Sequence, residues 1–182
     1  MAYVTCVITL FSGPVHSGKS TRLKEVCAVF ERNGSSFDGY LSEAVFDGDR
    51  RTGYDILDLQ TGARTPFFRL WTGRCLDHVG RFGLLAAGLS AAEGIIRRGR
   101  SSPLLIVDEL GPLELDGRGI WPALAPVVLG SPGTDVLAVV RRGLVAEFLK
   151  LLGPQTRVFD ISARPAPELA AALASRPSAG AD

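Results

Sequence analysis

Cysteine is scarce in this 182-residue chain: Cys6, Cys27 and Cys75 stand far apart, with no CxxC pair. That argues against a disulfide framework or a zinc site, and it fits a reducing cytoplasm. Charge of one sign is missing as well. The formal net charge is +1, and the arginine pairs Arg50–Arg51, Arg97–Arg98 and Arg141–Arg142 are scattered. Nucleic acid is therefore not an expected partner, because duplex binding needs clustered Lys and Arg. No long hydrophobic segment occurs near the start. "VTCVITLF", residues 4–11, is too short to span a bilayer and lacks a basic flank and a cleavage site. Internal repeats and low-complexity stretches are absent too. The expectation is a cytoplasmic protein that is no membrane partner.

What is present is a globular composition, 46% hydrophobic, with enough chain to bury one sizeable core. "VTCVITLF" reads as a buried strand ended by Ser12–Gly13. A helix is expected over Lys19–Arg32, with Leu23, Val26, Cys27 and Phe30 at helical spacing and Gly34 as its stop. Residues 38–72 read as short strands joined by Gly/Asp turns, an inserted antiparallel hairpin. Helical spacing returns over 79–98, through Phe82, Leu85, Leu89, Ile95 and Ile96. Next comes the apolar strand "PLLIVDELG", a helix around 119–129 and the strand "DVLAVV". A helix at 143–152, the strand "RVFDIS" and a helix from about 165 complete the order. Strands alternating with helices predict an α/β fold, a three-layer phosphate-loop architecture with a mostly parallel sheet covered on both faces. The expected division is one domain over 1–174, including the 38–72 insertion, and a frayed tail over 175–182.

Between the first strand and the first helix lies Gly13-x-x-x-x-Gly18-Lys19-Ser20, the phosphate-loop pattern. Gly13 and Gly18 let the backbone approach a bulky anion. Loop amides and the helix N-terminus face the phosphates. The candidate nucleotide-binding residues here are Gly13, Pro14, Val15, His16, Ser17, Gly18, Lys19, Ser20 and Thr21. Lys19, one of only three lysines in the chain, supplies the cation for the β and γ phosphates. The Ser20 hydroxyl is a Mg²⁺ ligand, and Thr21 supports the α-phosphate side. His16 is either a γ-phosphate contact or a solvent-facing loop residue.

"LLIVDELG", residues 104–111, delivers carboxylates to a strand's C-terminal end, where ligands of open α/β sheets gather. Asp108 would hold Mg²⁺, partly through water. Glu109 is placed to take a proton from an attacking water. That role requires the strand to be ending at Glu109, since adjacent strand side chains diverge; otherwise Glu109 only caps a turn. Glu114 reads as support or surface. Arg141 or Arg142 could act as an arginine finger supplied in cis, against the plainer reading of solvated strand-end arginines. Arg51, Arg64 and Arg81 are lesser basic candidates. Phe67, Phe68 and Trp71 read as core or a hairpin face, with stacking on a base as the alternative.

The segments "GPVHSGKST", "GYLSEAVFDGDRRTGYDILDL", "VGRF" and "VDELGPLEL", in that order, resemble the small P-loop nucleoside-triphosphatases with thermophilic-prokaryote and human cancer-related members. The resemblance runs from about residue 6 to 160. It implies slow, Mg²⁺-dependent hydrolysis of ATP, GTP and other NTPs, with little base selectivity. Glu43 matches the family hairpin without a role that can be read from sequence. The family often carries His-Arg after the strand that here ends "AVVRRG". Arg141 stands in the histidine's place, so that role is lost or passes to Arg141. The leading reading is a hydrolase with Glu109, Lys19 and Arg141 as catalytic candidates and a nucleoside triphosphate as substrate. A small-molecule or nucleotide kinase, and a nucleotide-dependent switch with a protein partner of unknown identity, are the rivals.

Overall fold

The computed structural model describes residues 6–13, 18–73, 75–130, 133–161 and 165–174. In chain order the elements are β1 (Ile8–Gly13), α1 (Lys19–Arg32), β2 (Asp38–Asp47), β3 (Arg50–Asp58), β4 (Arg64–Leu70), β5 (Asp77–Val79) and β6 (Phe82–Leu84). Then come α2 (Ala86–Gly99), β7 (Leu104–Leu110), α3 (Pro112–Leu115), α4 (Trp121–Gly130) and β8 (Asp135–Arg141). A 3-10 turn (Arg142–Leu144) leads into α5 (Val145–Leu152), followed by β9 (Arg157–Asp160) and α6 (Ala166–Ala174).

All nine strands form one sheet in the order β5-β6-β4-β3-β2-β7-β8-β1-β9. From β2 to β9 neighbouring strands run parallel; from β2 outward to β5 they run antiparallel. Two apolar layers flank the parallel half. On one face Leu10, Leu105, Val107 and Ala138 pack against Ile96 of α2, Leu124 of α4 and Phe148 of α5. On the other, Phe11, Ile106, Leu137 and Val139 pack against Leu23, Val26 and Phe30 of α1 and Leu169 of α6. Burial of each such side chain is worth roughly 1.5–3 kcal/mol. The three-layer α/β architecture follows from strands that are apolar on both sides.

Three boundaries differ from the sequence expectation. Among the described residues β1 begins at Ile8, leaving Cys6 and Val7 outside it, and runs on through Gly13. Helix α1 closes on Asn33, one residue before Gly34. The largest difference lies over 79–98, where the helix begins only at Ala86. Residues 77–84 instead form a second hairpin, with Val79 opposite Phe82 across the two-residue turn Gly80–Arg81. Gly80 takes φ +56° there, the positive φ that such tight hairpin turns demand. Phe82 and Leu84 pair with Leu70 and Phe68 of β4. Their i, i+2 spacing puts them on one strand face, whereas the helical reading rested on Phe82 and Leu85 at i, i+3, and the sheet partner decides for the strand. The insertion is thus wider than a single hairpin: β3, β4, β5 and β6 extend the sheet as four antiparallel strands.

An arginine staples the two halves. Arg98 of α2 donates to both carboxylate oxygens of Asp38 (2.8 and 2.6 Å) and of Asp58 (3.1 and 2.8 Å). Both aspartates are buried, so the fork-shaped guanidinium satisfies two charges that would otherwise be stranded. Asp58 is drawn below the usual carboxylate range: burial pushes it up, and the bonds from Arg98, Gln60 and Thr61 outweigh that push. Among the described residues no helix is long and apolar enough to cross a membrane.

Candidate active site

Strand register brings the candidate residues to one edge. In the parallel half Gly13 lies opposite Arg141 and Ser12 opposite Val140, which also faces Leu110. The carboxyl ends of β1, β8 and β7 therefore meet. Strand β8 sits between the cradle strand β1 and the acid strand β7. Of the loop itself, Pro14, Val15, His16 and Ser17 lie outside the described residues. Gly18 caps α1 in the left-handed region, φ +73° and ψ 29°, a conformation that favours glycine. Among the described residues no side chain caps the helix start, which leaves its amides for an anion.

Beside that helix start the Ser20 hydroxyl donates to Asp108 Oδ2 at 2.8 Å, across 88 residues of sequence. The Ser42 amide of β2 donates to the same oxygen at 3.2 Å. Strands β2 and β7 pair only as far as Tyr40 and Val107, so beyond that point the Ser42 amide is turned to the carboxylate. Asp108 is 2% exposed. Burial, aided by the charge of Glu109, pushes its carboxyl up to about 7, while Ser20, Ser42 and Lys19 pull against that rise.

Strand β7 does not end at Glu109, as that role was expected to require, but runs on to Leu110; an irregularity inside the strand separates the two acids instead. Pairing of β7 with β8 shifts register between Val107 and Leu110, so Asp108 and Glu109 fall where the regular ladder is interrupted. Regular strand alternation does not hold there. Asp108 reaches Ser20, and Glu109 reaches the cavity next to it. Arg141 grips Glu109 Oε1 with Nε at 2.9 Å and Nη2 at 2.8 Å. Arg142 turns elsewhere and pairs with Asp160. Of the two arginines considered as a finger, only Arg141 reaches the cavity.

Glu114 is buried and serves the backbone. Its carboxylate accepts from the Gly111 amide at 2.8 Å and the Ile120 amide at 3.2 Å, closing the loop that follows β7. Burial pushes this carboxyl up to about 7 against the pull of those amides, with Glu109 adding to the rise. Tyr40 is a residue the sequence did not flag. Its hydroxyl is fully buried and has no hydrogen-bond partner among the described residues. Burial, and then the charges of Glu114, Asp108 and Glu109, hold its phenol well above the usual range.

The remaining candidates separate. Glu43 bridges Lys24 of α1 and Arg64 of β4, the latter at 2.8 Å; these bonds lower its pKa against the burial that raises it. Phe67 is buried in the core. Trp71 is 52% exposed and stacks on His78, with 5.0 Å between ring centroids. Lys19, Ser20, Thr21, Glu109 and Arg141 share one cavity of about 780 Å³ that runs on toward β3, β4 and β6.

Can this site hold the expected metal? Its donors are hard oxygens, one hydroxyl and one buried carboxylate already in contact. Among the described residues no group of three or more His, Cys, Asp and Glu could cage an ion. That set suits Mg²⁺, which takes one or two protein oxygens and completes its shell with phosphate and water.

A phosphate-loop glycine at a helix start, a serine hydroxyl on a buried strand-end aspartate and an α/β sheet define a P-loop nucleotide-binding protein. A family model described as NTPase matches residues 8–170, and the chain belongs to that family. "Nucleoside-triphosphatase THEP1" of Methanopyrus kandleri is 37% identical over 108 residues, 59% of this chain and 59% of that one. That match therefore spans less than two thirds of the relative's length. "Cancer-related nucleoside-triphosphatase homolog" of Bos taurus is 30% identical over 139 residues, 71% of this chain and 72% of that one. The solution structure of a human cancer-related nucleoside triphosphatase shares the fold, with TM-score 0.72 over 96% of this chain and 100% of that chain at 23% identity.

Proposed function

We propose that this protein hydrolyses nucleoside triphosphates to the diphosphate and phosphate, in the cytoplasm, with Mg²⁺ and little selection of the base. Membership of the NTPase family supports hydrolysis as the activity. One observation carries the site assignment: Ser20 touches the buried Asp108 at 2.8 Å, while the next residue, Glu109, opens onto the cavity that Lys19 also lines.

The residues divide the work. Gly13 to Thr21 wrap the phosphates, with Lys19 neutralising the β and γ groups. Ser20 and Asp108 would hold Mg²⁺, which would supply neutralisation of the phosphate charge. Glu109 accepts a proton from the attacking water as its oxygen bonds to the terminal phosphorus. The bond from that phosphorus to the β-phosphate oxygen breaks, and the diphosphate leaves with the electron pair. Arg141 positions Glu109 in the free protein and stands next to the charge that builds on the transferred group.

Phosphate release by the purified protein with ATP, GTP, CTP or UTP, with and without Mg²⁺, tests this. Release from all four, dependent on the metal, is expected. Release from one base alone would overturn the broad specificity, and metal-independent release would overturn the role of Ser20 and Asp108.

A further inference from the structure

The cavity at the strand ends is far larger than hydrolysis needs. An attacking water occupies about 30 Å³, whereas the cavity measures about 780 Å³, within the usual range for small-molecule sites. Its walls differ at the two ends. Near the cradle stand Lys19, Ser20, Glu109 and Arg141; away from it stand Tyr54 of β3, Phe67 and Phe68 of β4, and Phe82 of β6. Strand β4 is three places from β7 in the sheet, about 14 Å at the usual strand spacing.

Nothing in the chemistry of the triphosphate fills that far end. On the proposed placement, with Ser20 and Asp108 at the β and γ oxygens and Glu109 at the terminal phosphate, the phosphates run from the end of β7 back toward the cradle after β1, on the opposite side of β7 from β3, β4 and β6. The cavity's described lining comes from α1, β2, β3, β4, β6, the turn before β6, the β7–α3 segment and β8, and none from β9 or α6 beyond the loop. Its near end includes Thr21 and the start of α1, while its far end, over β3, β4 and β6, lies beyond the proposed terminal phosphate.

The far end also has a defined chemistry. Tyr54 and Phe82 meet edge to face at 5.4 Å, and Phe67 and Phe68 at 4.6 Å. Arg51 lies over the Tyr54 ring at 5.5 Å and donates to its hydroxyl at 2.9 Å. Arg81 lies over Phe82 at 5.0 Å, is exposed at the rim and makes no ion pair with any described residue. Elsewhere along the wall Lys24 pairs with Glu43, and Arg141 with Glu109. Aromatic walls accept a flat apolar ring, and a guanidinium left without a carboxylate accepts an anion.

We propose that this aromatic half of the cavity is a second ligand site, for a planar ring carrying a phosphate or similar anionic group bound by Arg81, occupied at the same time as the triphosphate. The inference rests on the proposed placement of the triphosphate's terminal phosphate beside Glu109. Calorimetry on the full chain tests it in two stages. The non-hydrolysed analogue AMP-PNP with Mg²⁺ is titrated first; if it does not bind, both readings fall. 2-Naphthyl phosphate is then titrated into the AMP-PNP complex. One-to-one binding is expected, weakened about tenfold by R81Q, the usual scale for losing one charge-assisted contact. No binding to the complex, displacement of AMP-PNP by the naphthyl compound, or unchanged affinity in R81Q would overturn the second site while leaving the hydrolase reading intact.

Discussion

The two halves of the sheet carry different kinds of information. The parallel half, β2 to β9, brings the residues of the proposed phosphate chemistry to strand ends fixed by register: Gly13 beside Arg141, and Asp108 against Ser20. The antiparallel half, β3 to β6, contributes no residue to that contact and instead walls the cavity with Tyr54, Phe67, Phe68 and Phe82. One half grips; the other shapes the space next to the grip. Variants in the two halves should accordingly fail in different ways.

The largest expected effect is in the parallel half. K19A removes the cation proposed to meet the β and γ phosphates. Triphosphate turnover should fall by about a hundredfold or more while the melting temperature in the absence of nucleotide stays close to wild type. A folded K19A protein with normal turnover would show that the chemistry lies elsewhere.

At the joint between the halves the effect should be on stability. R98A strands the buried Asp38 and Asp58 that Arg98 now bridges, and losing one partner of such a set costs about 3 kcal/mol. Urea unfolding should show it; a loss under about 0.5 kcal/mol would mean the halves hold without the staple.

A smaller effect, readable as a pH slope, belongs to Glu114. Its carboxyl is pushed by burial from an ordinary 4.5 to about 7, so the folded chain binds a proton the unfolded chain has released. Stability from this group is full below the unfolded value and is lost as pH rises through the folded one. Between pH 5 and 8 wild type should lose up to about 3 kcal/mol more than E114Q, measured without metal. Parallel curves for the two proteins would contradict the raised value.

The parallel half was far more legible in sequence. A phosphate-loop pattern after an apolar strand states both its local geometry and its chemistry within a dozen residues, and "LLIVDELG" does nearly the same. The pairing of Arg141 with Glu109 spans 32 positions, and no local pattern encodes it. The interrupted ladder between Val107 and Leu110 was hidden for the same reason: the sequence asked for a strand ending at Glu109, and the strand instead runs on to Leu110. In the antiparallel half, Phe82 and Leu85 fit a helical stripe, while Phe82 and Leu84 fit a strand face. Only pairing with β4, a tertiary event, separates the two. Trp71 shows the converse: an aromatic in an apolar stretch that folding leaves at the surface against His78.

The central claim is that Glu109 activates water beside a triphosphate that the cradle already holds. Mg²⁺-dependent affinity for AMP-PNP and single-turnover phosphate release from ATP should be measured on wild type and E109Q in parallel. The account predicts affinity within about threefold of wild type and release slowed by about a hundredfold or more. Wild-type release from E109Q, with the analogue still bound, would contradict it.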